Sequence, residues 1–282
     1  MKLIRDLLHL NEAKVEGNLE IKSLSSLSTG EIVDILHKSC SKVMEYLCTS
    51  TSDFPALYRG DASIAGSCMI STKGSTRKST TDSNFHNLII DNTPSLVGFP
   101  KRSSSVIVAS SFHTASFYSS KVFYIVPFDN AKVSTAKMYD LIHQNVKFMG
   151  LNVHLSILAV SRIFKDAGVK DTWEGIHEFA KVLAEDGPKA VKAQRTFARA
   201  CRMNYVPEDD LKKVLEVAKT DLMAGIDRTF APSSSKFSWK YGRDLKSVLT
   251  DRDTELWIEG KMFALKDKDY KNVLDNYREK YL

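Results

Sequence analysis

The chain has 282 residues, 43% hydrophobic and 26% charged, with 40 Lys and Arg against 34 Asp and Glu for a formal net charge of +6. That length suits one large domain or two smaller ones, the charge favours an acidic partner without naming it, and no stretch approaches the roughly 20 apolar residues that span a bilayer. Cys40, Cys48, Cys68, Cys201 and seven histidines are scattered without metal-ligand spacing, so no metal is expected and the thiols read as reduced. The first ten residues carry charges inside their apolar run and lack a signal-peptide centre, so a cytoplasmic location without membrane association is expected. Phosphate-loop, Gly-x-Gly-x-x-Gly, nucleophile-elbow and His-Glu-x-x-His motifs are missing, which sets aside the common nucleotide and hydrolase classes.

Residues 1–50 are expected to form a helical segment, clearest at Ser28-Thr29-Gly30-Glu31, a capping box ahead of the periodic Ile32, Ile35, Leu36, Val43, Met44 and Leu47. Strands are expected after Thr51. The first, 55–60, ends in Arg59 with Gly60 behind it, where the backbone can turn or approach a ligand. Residues 63–84, rich in Ser, Thr and Gly, read as a mobile loop or weak hairpin. Val106 to Val108, bounded by serines, and 121–127 read as strands around a short helical turn at 112–118. From 135 to 230 the pattern becomes helical, with starts at Asp171-Thr172, Pro188 and Pro207-Glu208-Asp209-Asp210. Within it, Lys189, Lys192, Arg195, Arg199 and Arg202 fall on one side of a helix over 188–203 and Ala190, Ala193, Phe197 and Cys201 opposite. Such a stripe is either a solvated face or a docking surface for phosphates or an acidic protein.

Asp253-Thr254-Glu255-Leu256-Trp257-Ile258 reads as a strand that puts two carboxylates on one face and Leu256 and Ile258 on the other. Like charges that close repel, so the pair costs stability unless a cation, a donor or a substrate uses it; the alternative is a solvated strand entry. At the end of its own strand, Arg59 offers a planar fork of donors to a phosphate or carboxylate.

Taken in order, the arginine strand, the serine-bounded strand, the 112–118 turn, the next strand and the acidic strand resemble the mono-ADP-ribosyltransferase family of arginine-serine-glutamate type, its phage-encoded members above all. The resemblance covers 54–133 and 245–265. It implies an α+β fold, in which a small two-sheet β core over 51–134 and 231–282 binds NAD as substrate, interrupted by a helical insertion over 135–230. Glu255 matches the family glutamate, and Asp253 takes the second acidic position, where arginine-modifying members usually carry glutamate. Arg59 matches the arginine that holds the cofactor phosphates and braces the cleft. The family serine falls either on Ser110 and Ser111 or on Ser103, Ser104 and Ser105. Tyr58, Phe112 and Tyr118 are aromatic candidates for stacking on nicotinamide, against a plain core role.

The implied reaction is transfer of ADP-ribose from NAD to a macromolecular acceptor, with nicotinamide leaving. Positive charge grows on the ribose, and a fixed carboxylate such as Glu255 stabilises it, while Asp253 positions or deprotonates the attacking group. A phage-encoded enzyme would act on a host protein in the host cytoplasm, or be delivered with the virion, with nucleic acid as a further partner for the 188–203 helix. The other expectation is a catalytically inactive member of the same fold with a structural or partner-binding role in a virus particle.

Overall fold

The computed structural model describes residues 15–16, 19–49, 56–77, 83–136, 141–231, 240–242 and 255–282. It is a mixed helix-and-strand fold with one large antiparallel sheet. The described residues fall into two compact units, one of 15–77, 99–136 and 240–282, the other of 83–98 and 141–231.

The first unit holds β2 (Glu20–Ser23), β3 (Leu57–Gly60), β4 (Cys68–Ser71), β6 (Val106–Ala109), β7 (Val122–Pro127), β8 (Lys132–Ala136), β11 (Lys240–Gly242), β12 (Glu255–Glu259) and β13 (Lys261–Leu265). They run in the order β11-β8-β12-β6-β3-β7-β13-β4-β2, antiparallel throughout. A two-residue ladder of β1 (Val15–Glu16) and β5 (Thr76–Arg77) stands apart.

This sheet is two four-stranded halves joined by β3. Toward β7 the pairing of β3 runs from Leu57 to Gly60, but toward β6 it is the single pair Tyr58–Ala109. The expected small two-sheet core is therefore met by one continuous ladder, narrowest at Tyr58. Sequence neighbours β12 and β13 lie in different halves, and the chain changes half at Gly260, whose φ is +129°. A Cβ there would sit 3.2 Å from the Ala131 Cα, so this turn packs directly on the one between β7 and β8.

One apolar cluster spans both halves through Leu57, Ile70, Val108, Phe123, Leu256, Ile258 and Met262. A second packs α1 (Thr29–Ser39), α2 (Ser41–Thr49) and α9 (Asp267–Tyr281) against β7 and β13 through Leu36, Met44, Val126, Phe263, Leu265 and Val273. Each such side chain contributes about 1.5–3 kcal/mol by leaving water. The capping box starts α1: Ser28 Oγ accepts from the Glu31 N–H, and Glu31 Oε2 accepts from the Ser28 N–H at 2.8 Å.

Two readings of the first half of the chain are corrected. Residues 1–50 are not wholly helical, because β2 forms the sheet edge; its exposed Glu20, Ile21, Lys22 and Ser23 have no buried face to impose alternation. Residues 63–84 are not one loop, because β4 is inserted between β13 and β2. Four residues flanked by Ser, Thr and Gly are too few to show a period.

The second unit contains α3 (Phe85–Asn92), α5 (Ile157–Asp166), α6 (Trp173–Ala184), α7 (Pro188–Met203) and α8 (Glu208–Phe230), with a small ladder of β9 (Asn145–Lys147) and β10 (His154–Ser156). Its aromatic centre links four helices: Phe164 lies 5.7 Å from Phe85 and 6.4 Å from Phe197, and Phe197 lies 5.9 Å from Phe179. Thr172 caps α6 by accepting from the Gly175 N–H at 3.0 Å, and Pro188 opens α7. Helix α8 breaks at Asp221, whose carboxylate accepts from the Ala224 N–H at 2.8 Å and caps the second half. Among the described residues no helix is long and apolar enough to cross a membrane.

Candidate functional site

Glu255 is the first residue of β12. Its backbone pairs with Ala109 on one side and Ala136 on the other. The side chain is only 3% exposed, and Arg102, itself 4% exposed, donates from Nη2 to Glu255 Oε1 at 2.7 Å. Arg102 belongs to a strap over 100–102 fastened at alternate residues of β12. Trp257 Nε1 donates to the Pro100 carbonyl at 3.0 Å, and the Lys101 N–H donates to Glu259 at 2.9 Å. Residues 255, 257 and 259 share one strand face, which gives the strap its register.

Arg59 leaves β3 and is tied down. Its Nε and Nη2 reach Asp61 Oδ2 at 2.9 and 2.8 Å, and its Nη1 donates to the Ile107 carbonyl at 2.8 Å. The last bond crosses from β3 to β6 where the ladder is one pair wide, so the guanidinium is a brace between the halves. Burial works to raise the Asp61 pKa, but the Arg59 charge and two hydrogen bonds from Ser63 outweigh it and hold the carboxyl below its ordinary value.

Beside this brace lies a narrow crevice with about 10 Å³ of interior space, lined by Leu19, Arg59, Ser75, Arg77, Ser103, Ser105 and Val106. Ser75 and Ser105 donate their hydroxyl protons to the Thr72 and Lys101 carbonyls at 2.8 and 2.6 Å. Arg77, on β5, differs from them: its Nε is buried and has no hydrogen-bond partner among the described residues. Burial above all, then the charges of Arg102 and Arg59, push its pKa below that of an ordinary arginine against the pull of Glu255. The group remains a cation, since guanidinium is not deprotonated in proteins. Sequence reasoning named Arg77 only as part of the 63–84 loop, not as a site residue, and used Arg102 only as motif context. Neither carries a local signal, because the Thr-rich surroundings of Arg77 are those of a loop.

The other candidates fall in three places. Tyr58, Ala109 and Glu255 lie on one cross-strand line, so Tyr58 and the carboxylate share a sheet face with only the small Ala109 between them. Phe112, 54% exposed, meets Tyr58 edge-on at 5.7 Å and 85°. It begins α4 (Phe112–Tyr118), capped by the Ser111 hydroxyl and pressed onto Gly60, where a Cβ would lie 2.1 Å from the Ala115 carbonyl oxygen. The candidate serines are divided: Ser110 follows Ala109 at the Glu255 end of β6, and Ser105 precedes β6 in the crevice. Asp253 lies outside the described residues.

In the second unit the basic side chains of α7 are exposed as a stripe, while Ala190, Phe197 and Cys201 are buried. Arg202 is bound by Glu208 through Nε at 2.8 Å and Nη2 at 2.9 Å. No cluster of His, Cys, Asp and Glu suited to a metal occurs among the described residues. The four cysteines form no disulfide, and burial pushes the Cys68 and Cys201 thiols up to about 11 and about 12.

Fold and site together define a mixed helix-and-strand protein in which a buried carboxylate, Glu255, is paired with Arg102. No family model, curated protein or solved structure matches the chain.

Proposed function

We propose that the protein is a mono-ADP-ribosyltransferase that cleaves NAD and passes ADP-ribose to a macromolecular acceptor, its first unit being an ADP-ribosyltransferase-like core. The observation that carries this reading is the cross-strand line of Tyr58, Ala109 and Glu255, with Phe112 edge-on to Tyr58. A ribose over Ala109 meets the carboxylate on one side, and its nicotinamide meets the aromatic pair on the other. The Glu255 carboxylate stabilises the charge that grows on the ribose as the nicotinamide bond breaks. Asp253 activates the acceptor nucleophile, and the exposed basic stripe of α7 selects an acidic host protein or a nucleic acid.

One observation favours a second reading, a partner-binding protein of the same fold with no turnover. Glu255 is removed from solvent and engaged by Arg102, as a structural ion pair is. Nicotinamide release from NAD by wild-type protein, Glu255→Gln and Arg102→Gln, with and without cell lysate, separates the two. The transferase reading expects release that Glu255→Gln lowers by two or more orders of magnitude. No release by any of the three, with or without lysate, discards it.

A further inference from the structure

Helix α7 carries its charge against the preference of its own backbone. Over 83–98 and 141–231 the chain has 14 Lys and Arg against 13 Asp and Glu, close to balance. Residues 188–203 nevertheless hold five of those cations, Lys189, Lys192, Arg195, Arg199 and Arg202, and none of the carboxylates. All five side chains are exposed. The positive pole of a helix dipole lies at its N-terminus and favours acidic residues in the first turn. Helix α8 follows this rule, opening with Glu208, Asp209 and Asp210, but α7 opens with Pro188 and Lys189. Like charges one turn apart, such as Arg195 and Arg199, also work against the helix. What holds α7 in place is the opposite face, where Ala190, Phe197, Ala200 and Cys201 are buried. The stripe therefore opposes folding, and a polyanion would relieve its repulsion.

We infer that α7 is a docking surface for the phosphate backbone of a nucleic-acid duplex, bound without regard to sequence. At about 100° and 1.5 Å per residue, Lys192, Arg195 and Arg199 lie within an arc of about 60°, and the stripe from Lys189 to Arg202 is about 20 Å long. A duplex carries about one negative charge per 1.7 Å of its axis, so roughly a dozen occur over that length. Two features select this partner over an acidic protein or a single strand. Protein interfaces put apolar and aromatic side chains at the centre and charge at the rim. On α7 the centre is charge, and the exposed Val191 and Met203 stand toward the two ends of the helix. Single strands are held by bases stacked on aromatic rings, whereas the one aromatic residue of α7, Phe197, is buried. Gln194, the amide of α7 suited to reading a base edge, donates to the Leu183 carbonyl at 3.2 Å, so the contacts fall to phosphates and carry no sequence information. Arg202 is held by Glu208, which makes Lys189, Lys192, Arg195 and Arg199 the phosphate donors. This choice of partner rests on the docking role given to α7 in the proposed function and is independent of NAD cleavage.

The test is fluorescence anisotropy of the full-length protein with two labelled DNA duplexes of about 20 bp and unrelated sequence, with one of their strands alone, and with polyglutamate, between about 50 and about 200 mM salt. Wild type is compared with three variants. The first is Lys192→Gln with Arg195→Gln and Arg199→Gln; the second, Arg195→Lys with Arg199→Lys, keeps the charge. The third, Lys212→Gln with Lys213→Gln and Lys219→Gln, removes the same charge from exposed positions of α8. Both duplexes are expected to bind wild type alike and more tightly than the single strand or polyglutamate, with log affinity falling against log salt at a slope of about −3 to −4. The α7 triple variant is expected to weaken binding at least roughly tenfold and to flatten the slope by about 2–3, with its melting temperature nearly unchanged. The arginine-to-lysine variant should keep most of the affinity, and the α8 triple variant should stay within about threefold of wild type. Should the α7 triple variant not fold, Arg199→Gln alone carries the comparison, against Lys212→Gln. No duplex binding at about 50 mM salt, equal losses in the α7 and α8 variants, or a preference for polyglutamate or the single strand overturns the assignment. Nicotinamide release from NAD is scored separately in the same proteins. Duplex binding without release ends the transferase reading and keeps the surface, and release without duplex binding does the reverse.

Discussion

Arg102 donates to Glu255 across 2.7 Å in a setting almost wholly closed to solvent, and the strap that carries it is tied to Trp257 and Glu259 of the same strand. The carboxylate that the sequence marks as reactive is also a structural anchor. Removing one partner of a buried pair leaves an uncompensated charge. Arg102→Met is therefore expected to cost about 3–5 kcal/mol in denaturant unfolding. The double variant Arg102→Met with Glu255→Leu should recover most of that loss, and additive losses would show that the pair is not coupled.

Gly60 carries the close approach of α4 to β3. A Cβ there meets the Ala115 carbonyl oxygen at 2.1 Å and the Ser119 nitrogen at 2.8 Å, both backbone atoms that cannot swing aside. Gly60→Ala should lower stability by about 1–3 kcal/mol or more. A matching fall in the melting temperature checks it, and an unchanged melting temperature contradicts the packing.

The Arg59–Asp61 pair predicts a pH dependence. Asp61 has a folded pKa below its unfolded value of about 3.9, so its contribution is present above that pH and is lost as pH falls through the folded value. The stability gap between wild type and Arg59→Gln should be constant above about pH 5 and narrow below about pH 4. Acid titration of both proteins by circular dichroism measures it, and a gap independent of pH down to about 2 removes Asp61 as its source.

Thiol reactivity follows burial. Cys40, Cys68 and Cys201 are buried, and all four thiols are pushed above the ordinary cysteine value by desolvation. Only the thiolate reacts, so native protein at about pH 8 is expected to label slowly at the half-buried Cys48 and at the other three only after unfolding. Mass spectrometry of the labelled protein identifies the sites.

The α7 stripe is separable from the core chemistry. Lys192→Glu with Arg195→Glu and Arg199→Glu alters exposed side chains and should leave the melting temperature nearly unchanged. If the stripe docks an acidic acceptor, labelling of that acceptor falls at least tenfold, more at low salt than at high, while nicotinamide release without acceptor stays the same.

Much of the fold was legible where local chemistry is strong. The Ser28 and Thr172 caps, Pro188 at the head of α7, the apolar runs of β6, β7 and β12, and the short α4 each announce themselves within a few residues. Glu255 and Arg59 stood out for the same reason, a charge at the edge of an apolar run. Strands β2 and β4 did not. The first is a charged edge, and the second is defined by the strands that flank it.

The sequence by itself determined the local periods, the caps, the turn residues and the positions of the arginines and carboxylates. Only the tertiary structure decided which charge meets which. Arg59 turns to Asp61, two residues away, but Glu255 takes Arg102, which lies 153 positions distant, and the Nε of Arg77 has no hydrogen-bond partner among the described residues. An ion pair is fixed by distance and desolvation, and both come from strand register and strap geometry summed over the whole sheet. No window of sequence contains them.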